Sequence, residues 1–243
     1  MPEPCPTPLG ASSPDAGAES LPSWSHYYDF DLTWRQHTEN VLCHLPMMRT
    51  ARRLAPRRVL EVGSGTGSLA IFLSYFLRHV VSIDLADEVL ARARRNNRRL
   101  RGRARFERAD AFDMRAFRDG SFDLAMSQGF FEHFDDADVH RLLREQLRVA
   151  RTVLFSVPNR AYGRRDRGDE RLLSRRQWET ILRTGGFDVL DSRDYRPLNR
   201  SGIMELLHRM PPTMSLLVIG SRQPALHRAT AASRTADGPI RAE

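Results

Sequence analysis

The chain contains no lysine: every one of its 38 basic residues is arginine, set against 30 acidic ones for a net charge of +8. Such a balance first suggests a polyanionic partner. Phosphate binding alone would not exclude lysine so completely, and a GC-rich coding preference for arginine and alanine accounts for the bias better. Cysteine is nearly as scarce. Cys5 and Cys43 are too few for a disulfide framework or a cysteine-based metal site, so a reduced, cytoplasmic setting is expected. Long apolar runs are also missing. The stretch 69–77 is interrupted by Ser74 and Tyr75, and a membrane span needs roughly 20 apolar residues. The amino terminus lacks a basic region followed by an apolar one, so no secretory signal is expected.

What is present suits one domain: 243 residues with 41% hydrophobic content. Residues 1–23 hold six of the fourteen prolines among small and polar residues and read as a disordered tail. Residues 221–243 read as a second flexible tail. Between them, short apolar runs at 58–62, 80–84, 104–109, 122–127 and 151–157 alternate with helical patterns at 66–76, 87–99 and 135–149. Strand and helix alternating in this way predict a parallel sheet with crossover helices. Ser174 and Gln177 have the spacing of a capping box, predicting a further helix that stops at Gly185-Gly186. Two late strands, 187–193 and 215–220, joined through the amphipathic stretch 201–209, predict an antiparallel hairpin at one end of the sheet.

The most informative segment is Glu61-Val62-Gly63-Ser64-Gly65-Thr66-Gly67, where a buried strand runs directly into three alternating glycines and then a helix. Glycine is needed where a backbone turns sharply or lets a ligand approach closely, and a loop after the first strand sits where open α/β sheets bind ligands. The dinucleotide pattern G-x-G-x-x-G is not matched, and no Gly-Lys-Ser/Thr follows for a phosphate loop. Two further strands end in carboxylates, at Asp84-Leu85 and at Asp110-Ala111. Asp84 can accept the two hydroxyl hydrogens of a ribose in charge-assisted bonds.

These three strand ends resemble the class I S-adenosylmethionine-dependent methyltransferases over residues 58–220. The resemblance implies a single Rossmann-like α/β domain, with a mostly parallel seven-stranded sheet, an antiparallel last strand and helices on both faces. It implies S-adenosylmethionine as the cofactor, held by Glu61, Gly63, Ser64, Gly65, Gly67, Asp84, Leu85, Asp110 and Ala111, with Ser127 and Gln128 beside its methionine portion. In the family the third-strand acid reads the adenine. Residues 24–57 correspond to the helical lid that relatives close over the site.

Methyl transfer requires an acceptor aligned with the departing sulfur, and an acceptor with a high-pKa proton also needs a base. The fourth strand leads into Ser127-Gln128-Gly129-Phe130-Phe131-Glu132-His133. His133 is the first choice for that base, with Glu132 beside it, since a neutral imidazole takes a proton near neutral pH. Small-molecule O-methyltransferases often carry histidine here. The plainer reading is a structural helix start with catalysis by proximity alone. His26 and His37 compete for the role from the lid. Tyr28, His37, Phe130, Asn159 and Tyr162 are the expected acceptor contacts.

Metal-dependent relatives carry Glu-x-x-Glu-His at this position, whereas Gly129 replaces the first glutamate, so no catalytic metal is expected. The paired prolines typical of nucleobase-amine methyltransferases are absent. The expected partner is therefore a compact organic molecule, plausibly a natural product, rather than nucleic acid or membrane, with the protein a monomer or homodimer. The alternative is an RNA or protein methyltransferase guided by arginine. Eight arginines and no acid lie between Arg92 and Arg105. At about 1.5 Å per helical residue they are expected on the order of 15 Å from the glycine loop, as a solvated face favoured at a helix carboxyl end.

Overall fold

The computed structural model describes residues 30–163, 165–198 and 211–220. Thr33 opens the first helix, α1 (Trp34–Cys43), through a reciprocal cap: its hydroxyl accepts from the Gln36 amide at 3.2 Å, while the Gln36 side chain accepts from the Thr33 amide at 2.9 Å. A second helix, α2 (Leu45–Arg53), follows with proline in its first turn, where the missing N–H has no partner to lose.

The remaining elements alternate as the apolar runs predict: β1 (Arg58–Val62), α3 (Ser68–Ser74), β2 (His79–Asp84), α4 (Asp87–Arg99), β3 (Arg105–Arg108), β4 (Phe122–Gln128), α5 (Asp136–Val149), β5 (Ala150–Pro158), α6 (Arg175–Thr184), β6 (Asp188–Tyr195) and β7 (Met214–Gly220). The strands form one seven-stranded sheet in the order β3-β2-β1-β4-β5-β7-β6. Neighbours from β3 to β5 are parallel, whereas β7 runs antiparallel to both β5 and β6. The expected hairpin is present, with its second strand inserted inside the first. The connection containing 201–209 lies outside the described residues, as do both tails.

Alternation along the strands explains the layers. Val59, Val80, Phe106, Leu124 and Leu154 face one side, where Met47, Ala51, Leu69, Ile71, Leu90 and Ala93 of α2, α3 and α4 cover them. Leu60, Ile83, Ala125, Val153 and Phe155 face the other side, under Val139, Leu142, Leu143, Trp178 and Leu182 of α5 and α6. Strand order reverses between β1 and β4, so their carboxyl ends leave the crevice in which such sheets bind ligands.

Two boundaries differ from expectation. The helix after β1 begins at Ser68 rather than 66, because Gly67 adopts a left-handed conformation (φ 79°) as its cap. Glu132 and His133 occupy a separate 3-10 turn, Phe131–His133, ahead of α5. Phe134 is extended there and Asp135 starts the long helix by accepting from the Asp138 amide at 2.8 Å.

Candidate active site

The glycine loop is shaped by its neighbours. Gly63 and Gly67 have φ of 83° and 79°, and a Cβ on either would collide: 3.0 Å from the Phe130 ring at Gly63, 2.9 Å from the Phe106 ring and 3.1 Å from Ala93 at Gly67. Gly67 therefore permits helix-to-sheet packing, whereas Gly63 permits Phe130 to lie over the loop. Gly65 is also left-handed (φ 48°).

Asp84 organises this loop from the next strand. One carboxylate oxygen accepts from the Ser64 amide at 3.0 Å and the other from the Ala86 amide at 3.1 Å. Burial raises its pKa, and the backbone donors of Ala86, Ser64, Gly65 and Leu85 oppose that rise. Beneath this carboxylate, Glu61 is buried and accepts from Ser82 at 2.6 Å, while Ser82 meets Ser64 at 2.8 Å. Burial pushes the Glu61 carboxyl up to about 8.

The third strand end joins the same edge through the Ala109 amide, which donates to the Asp84 carbonyl at 3.1 Å. Asp110 is exposed and caps the Phe112 amide at 2.8 Å, and Ala111 is half-buried. Leu85 is 57% exposed, an apolar face presented to solvent between two carboxylates. From β4, Ser127 is buried with no hydrogen-bond partner for its hydroxyl, and Gln128 is half-buried. Accepting carboxylates, an exposed leucine and an orphaned hydroxyl beside the glycine loop fit a ligand with a ribose, a flat base and a polar tail, as S-adenosylmethionine has.

Phe112, Phe134 and Phe130 form a row along this edge, with ring centres 5.7 Å and then 5.0 Å apart. Phe130 brings the Phe131–His133 turn up to the glycine loop. On that turn, His133 Nδ1 lies 2.8 Å from Asp169 Oδ1. Glu132 is buried, its Oε2 has no hydrogen-bond partner, and burial together with Glu170, Asp169 and Asp166 pushes it up to about 8.

The other expected acceptor contacts are distributed differently. His37 is buried on α1, with Nδ1 2.9 Å from the Ser68 hydroxyl and burial lowering its pKa. Asn159 uses both ends of its amide on backbone, accepting from Ala161 at 2.9 Å and donating to Pro212 at 3.0 Å. Tyr162 donates to Asp166 at 2.8 Å. Tyr28 and His26 lie outside the described residues.

Donor atoms of His133, Asp169 and Glu170 come within 4.8 Å of one another, close enough to be examined as a cation site. Both Glu170 oxygens are already engaged, by the Arg167 amide at 2.6 Å and the Gly168 amide at 2.9 Å. The Arg167 guanidinium, only 8% exposed, stands 3.8 Å from Asp169 and supplies positive charge there. The chain itself thus already engages the carboxylates of this cluster.

Sequence reasoning missed two residues of this edge. Asn96 accepts from the Leu32 amide and donates to the Thr66 carbonyl, both at 2.9 Å, tying the segment before α1 to the glycine loop. Asp169, 36 residues from its histidine, had no periodic signal. The arginine stretch also needs correction, because α4 passes directly beside the loop through Ala93 and Asn96. Arg92, Arg95 and Arg99 converge on Asp31 at 3.6–3.9 Å. Arg94 donates to the Phe106 carbonyl, Arg103 to those of Ser74 and Tyr75, and Arg105 pairs with Glu107. Much of that charge is engaged within the fold.

A cavity of about 660 Å³ lined by Arg58, His79, Asp123 and Arg151 opens at the amino ends of the strands, away from this edge.

Residues 59–152 match the family model described as a methyltransferase domain. Together with the sheet order and the three strand ends, this match supports a class I S-adenosylmethionine-dependent methyltransferase. The chain is 35% identical over 134 residues to a demethylmenaquinone methyltransferase of Thermus thermophilus, covering 53% of this chain and 56% of that protein. It is 30% identical over 110 residues to a ubiquinone biosynthesis O-methyltransferase of Aromatoleum aromaticum, covering 45% and 47%. It spans about half the length of these relatives. Its fold is also similar to magnesium protoporphyrin IX methyltransferase of Synechocystis with bound S-adenosylhomocysteine: TM-score 0.56, 14% identity, covering 79% of this chain and 90% of that one. Among the described residues no helix is long and apolar enough to cross a membrane.

Proposed function

We propose that the protein transfers a methyl group from S-adenosylmethionine to a small organic acceptor, with oxygen the favoured atom. The observation that carries this reading is the packing of Phe130 against Gly63, which sets the turn bearing His133 at the same sheet edge as the glycine loop. Both relatives named above act, by their names, on small quinone-type molecules or their precursors, which supports the acceptor class.

The cofactor, when bound, supplies a methyl group made electrophilic by its sulfonium. Asp84 holds the ribose, Leu85 and the Asp110-Ala111 end hold the adenine, and the glycine loop with Ser127 and Gln128 receives the methionine portion. Helices α1 and α2 cover the edge as the lid of a 58–220 core, pinned by Asn96 and by His37 on Ser68. His133 takes the acceptor's proton. Imidazoles bind protons near pH 6.5 and phenols lose them near 10, a gap of about 5 kcal/mol at 1.36 kcal/mol per unit. A hydroxyl as weakly acidic as water, near 15.7, would raise that cost to about 12 kcal/mol. An acidic hydroxyl of phenol or enol type therefore suits this base, and the Phe112–Phe134–Phe130 row suits a flat ring. A natural-product acceptor in the cytoplasm fits this description.

Incubation with labelled S-adenosylmethionine and a metabolite extract of the source organism, followed by mass spectrometry, tests the reading. Label in a small hydroxylated molecule is expected. Label confined to RNA or protein would overturn it, and the engagement of six of the eight clustered arginines within the fold argues against that outcome.

A further inference from the structure

We infer that Asp169 is the positioning residue of this site, holding His133 in the tautomer whose lone pair lies on Nε2 and stabilising the imidazolium that forms during transfer. The inference rests on the proposed methyl transfer for its chemical purpose, and on geometry alone for the pairing itself.

A carboxylate can only accept, so at 2.8 Å from Nδ1 the Asp169 oxygen requires the hydrogen to sit on Nδ1. The side chains are shielded enough for this pairing to be directional, His133 being 9% and Asp169 29% exposed. The segment carrying Asp169 is built around that contact. Glu170, buried, gathers the Arg167 and Gly168 amides, and Gly168 takes a left-handed φ of 99° to allow it. Tyr162 braces Asp166 at 2.8 Å. Arg171 fastens the segment to the histidine's own turn: its amide donates to the Glu132 carbonyl at 2.8 Å, and its guanidinium to the Phe134 carbonyl and to Asp136, each at 2.5 Å. The backbone that carries Asp169 is thus held on both sides beside the histidine's turn.

The balance of the step is simple. The acceptor oxygen's electron pair forms the bond to the methyl carbon, the carbon–sulfur bond breaks with its pair going to sulfur, and the hydroxyl proton passes to Nε2. The charge gained by the ring is met by Asp169, in the role that an aspartate plays toward histidine in hydrolytic triads. The titratable and charged groups around the ring are Asp169, Glu170 and Asp166, with Glu132 held toward its neutral form by burial, against Arg167 and Arg171.

Nitrogen-15 NMR of the imidazole in the full-length protein tests the pairing without substrate or cofactor. In the wild type the Nδ1–H tautomer should dominate. Asp169→Asn should mix or reverse the tautomers, whereas Asp169→Glu should keep the wild-type tautomer. In the labelled-extract assay Asp169→Asn should lose about 10–100-fold in turnover with cofactor affinity unchanged. An imidazole whose tautomer ignores Asp169→Asn, in a variant with a wild-type melting temperature, would overturn the inference. Failure of the methyl-transfer reading looks different: no labelled small molecule from any variant, with the NMR contrast intact.

Discussion

The two halves of the site are assembled by different means. The proposed cofactor side is made of consecutive strand ends, each carrying its candidate residue at the point where chain leaves sheet: Glu61 to Gly67 after β1, Asp84 after β2, Asp110 after β3. The proposed acceptor side is made of pieces far apart in sequence, with His133 on a short turn and Asp169 on a loop 36 residues later. One side is therefore positioned by the sheet itself. The other depends on tertiary hydrogen bonds between loops, which a single substitution can loosen.

Substitutions should separate the two sides. The largest effect is expected from His133→Ala, which should lower turnover by about 10²–10⁴-fold while calorimetric titration shows cofactor affinity unchanged. Loss of cofactor binding instead would assign His133 to the other half. Gly67→Ala should act through the fold, because the new Cβ would meet Phe106 at 2.9 Å in a left-handed backbone. A destabilisation of about 3 kcal/mol and a melting temperature lower by about 10 °C are expected, read by calorimetry.

Asp84→Ala should weaken cofactor binding by about 10–100-fold, the cost of about 1.5–3 kcal/mol of charge-assisted bonding, read by calorimetric titration, and should also lower the melting temperature because the Ser64 and Ala86 amides lose their acceptor. Unchanged affinity would remove the ribose from this strand end and with it the basis of the contrast.

Protonation offers a gentler probe. Glu61 and Glu132 are raised from 4.5 to about 8 by burial. The folded state thus binds protons that the unfolded chain has released, and stability falls as pH rises from about 4.5 to 8. His44, lowered from 6.5 to about 4 by burial, acts oppositely, and its contribution is lost as pH falls through that interval. Urea titrations at pH 5 and pH 8 should show a loss that Glu132→Gln reduces by about 1–2 kcal/mol. An identical pH dependence in the variant would mean Glu132 is ionised in the fold.

The smallest effect is expected at Asp31, whose three arginine contacts at 3.6–3.9 Å are partly exposed. Asp31→Asn should cost under about 1 kcal/mol and be seen as faster hydrogen exchange at the Leu32 amide. A larger loss would make the arginine face the main anchor of the lid.

Legibility follows the same division. The strands fall within a residue or two of their apolar runs, and the Ser174 and Gln177 cap forms as spaced, because periodicity and capping are local properties. The turn at Glu132 and His133 was harder to read, since Phe131, Phe134 and the following acids fit the start of a helix equally well. Asp169 was hidden in a stretch of Arg, Asp, Gly and Glu that reads as solvated loop. Asn96 was hidden among arginines, and the role of those arginines could not be judged before Asp31 and the Ser74 and Phe106 carbonyls were placed beside them.

The sequence by itself determined the doubly covered sheet, the glycine loop and the two following carboxylates, because each depends on spacing along one segment and on the period of strand or helix. Only the tertiary structure decided that Phe130 lies on Gly63, that β7 inserts between β5 and β6, and that Asp169 meets His133. Those contacts join residues whose separation along the chain carries no periodic signal, so they exist only once packing has brought the segments together.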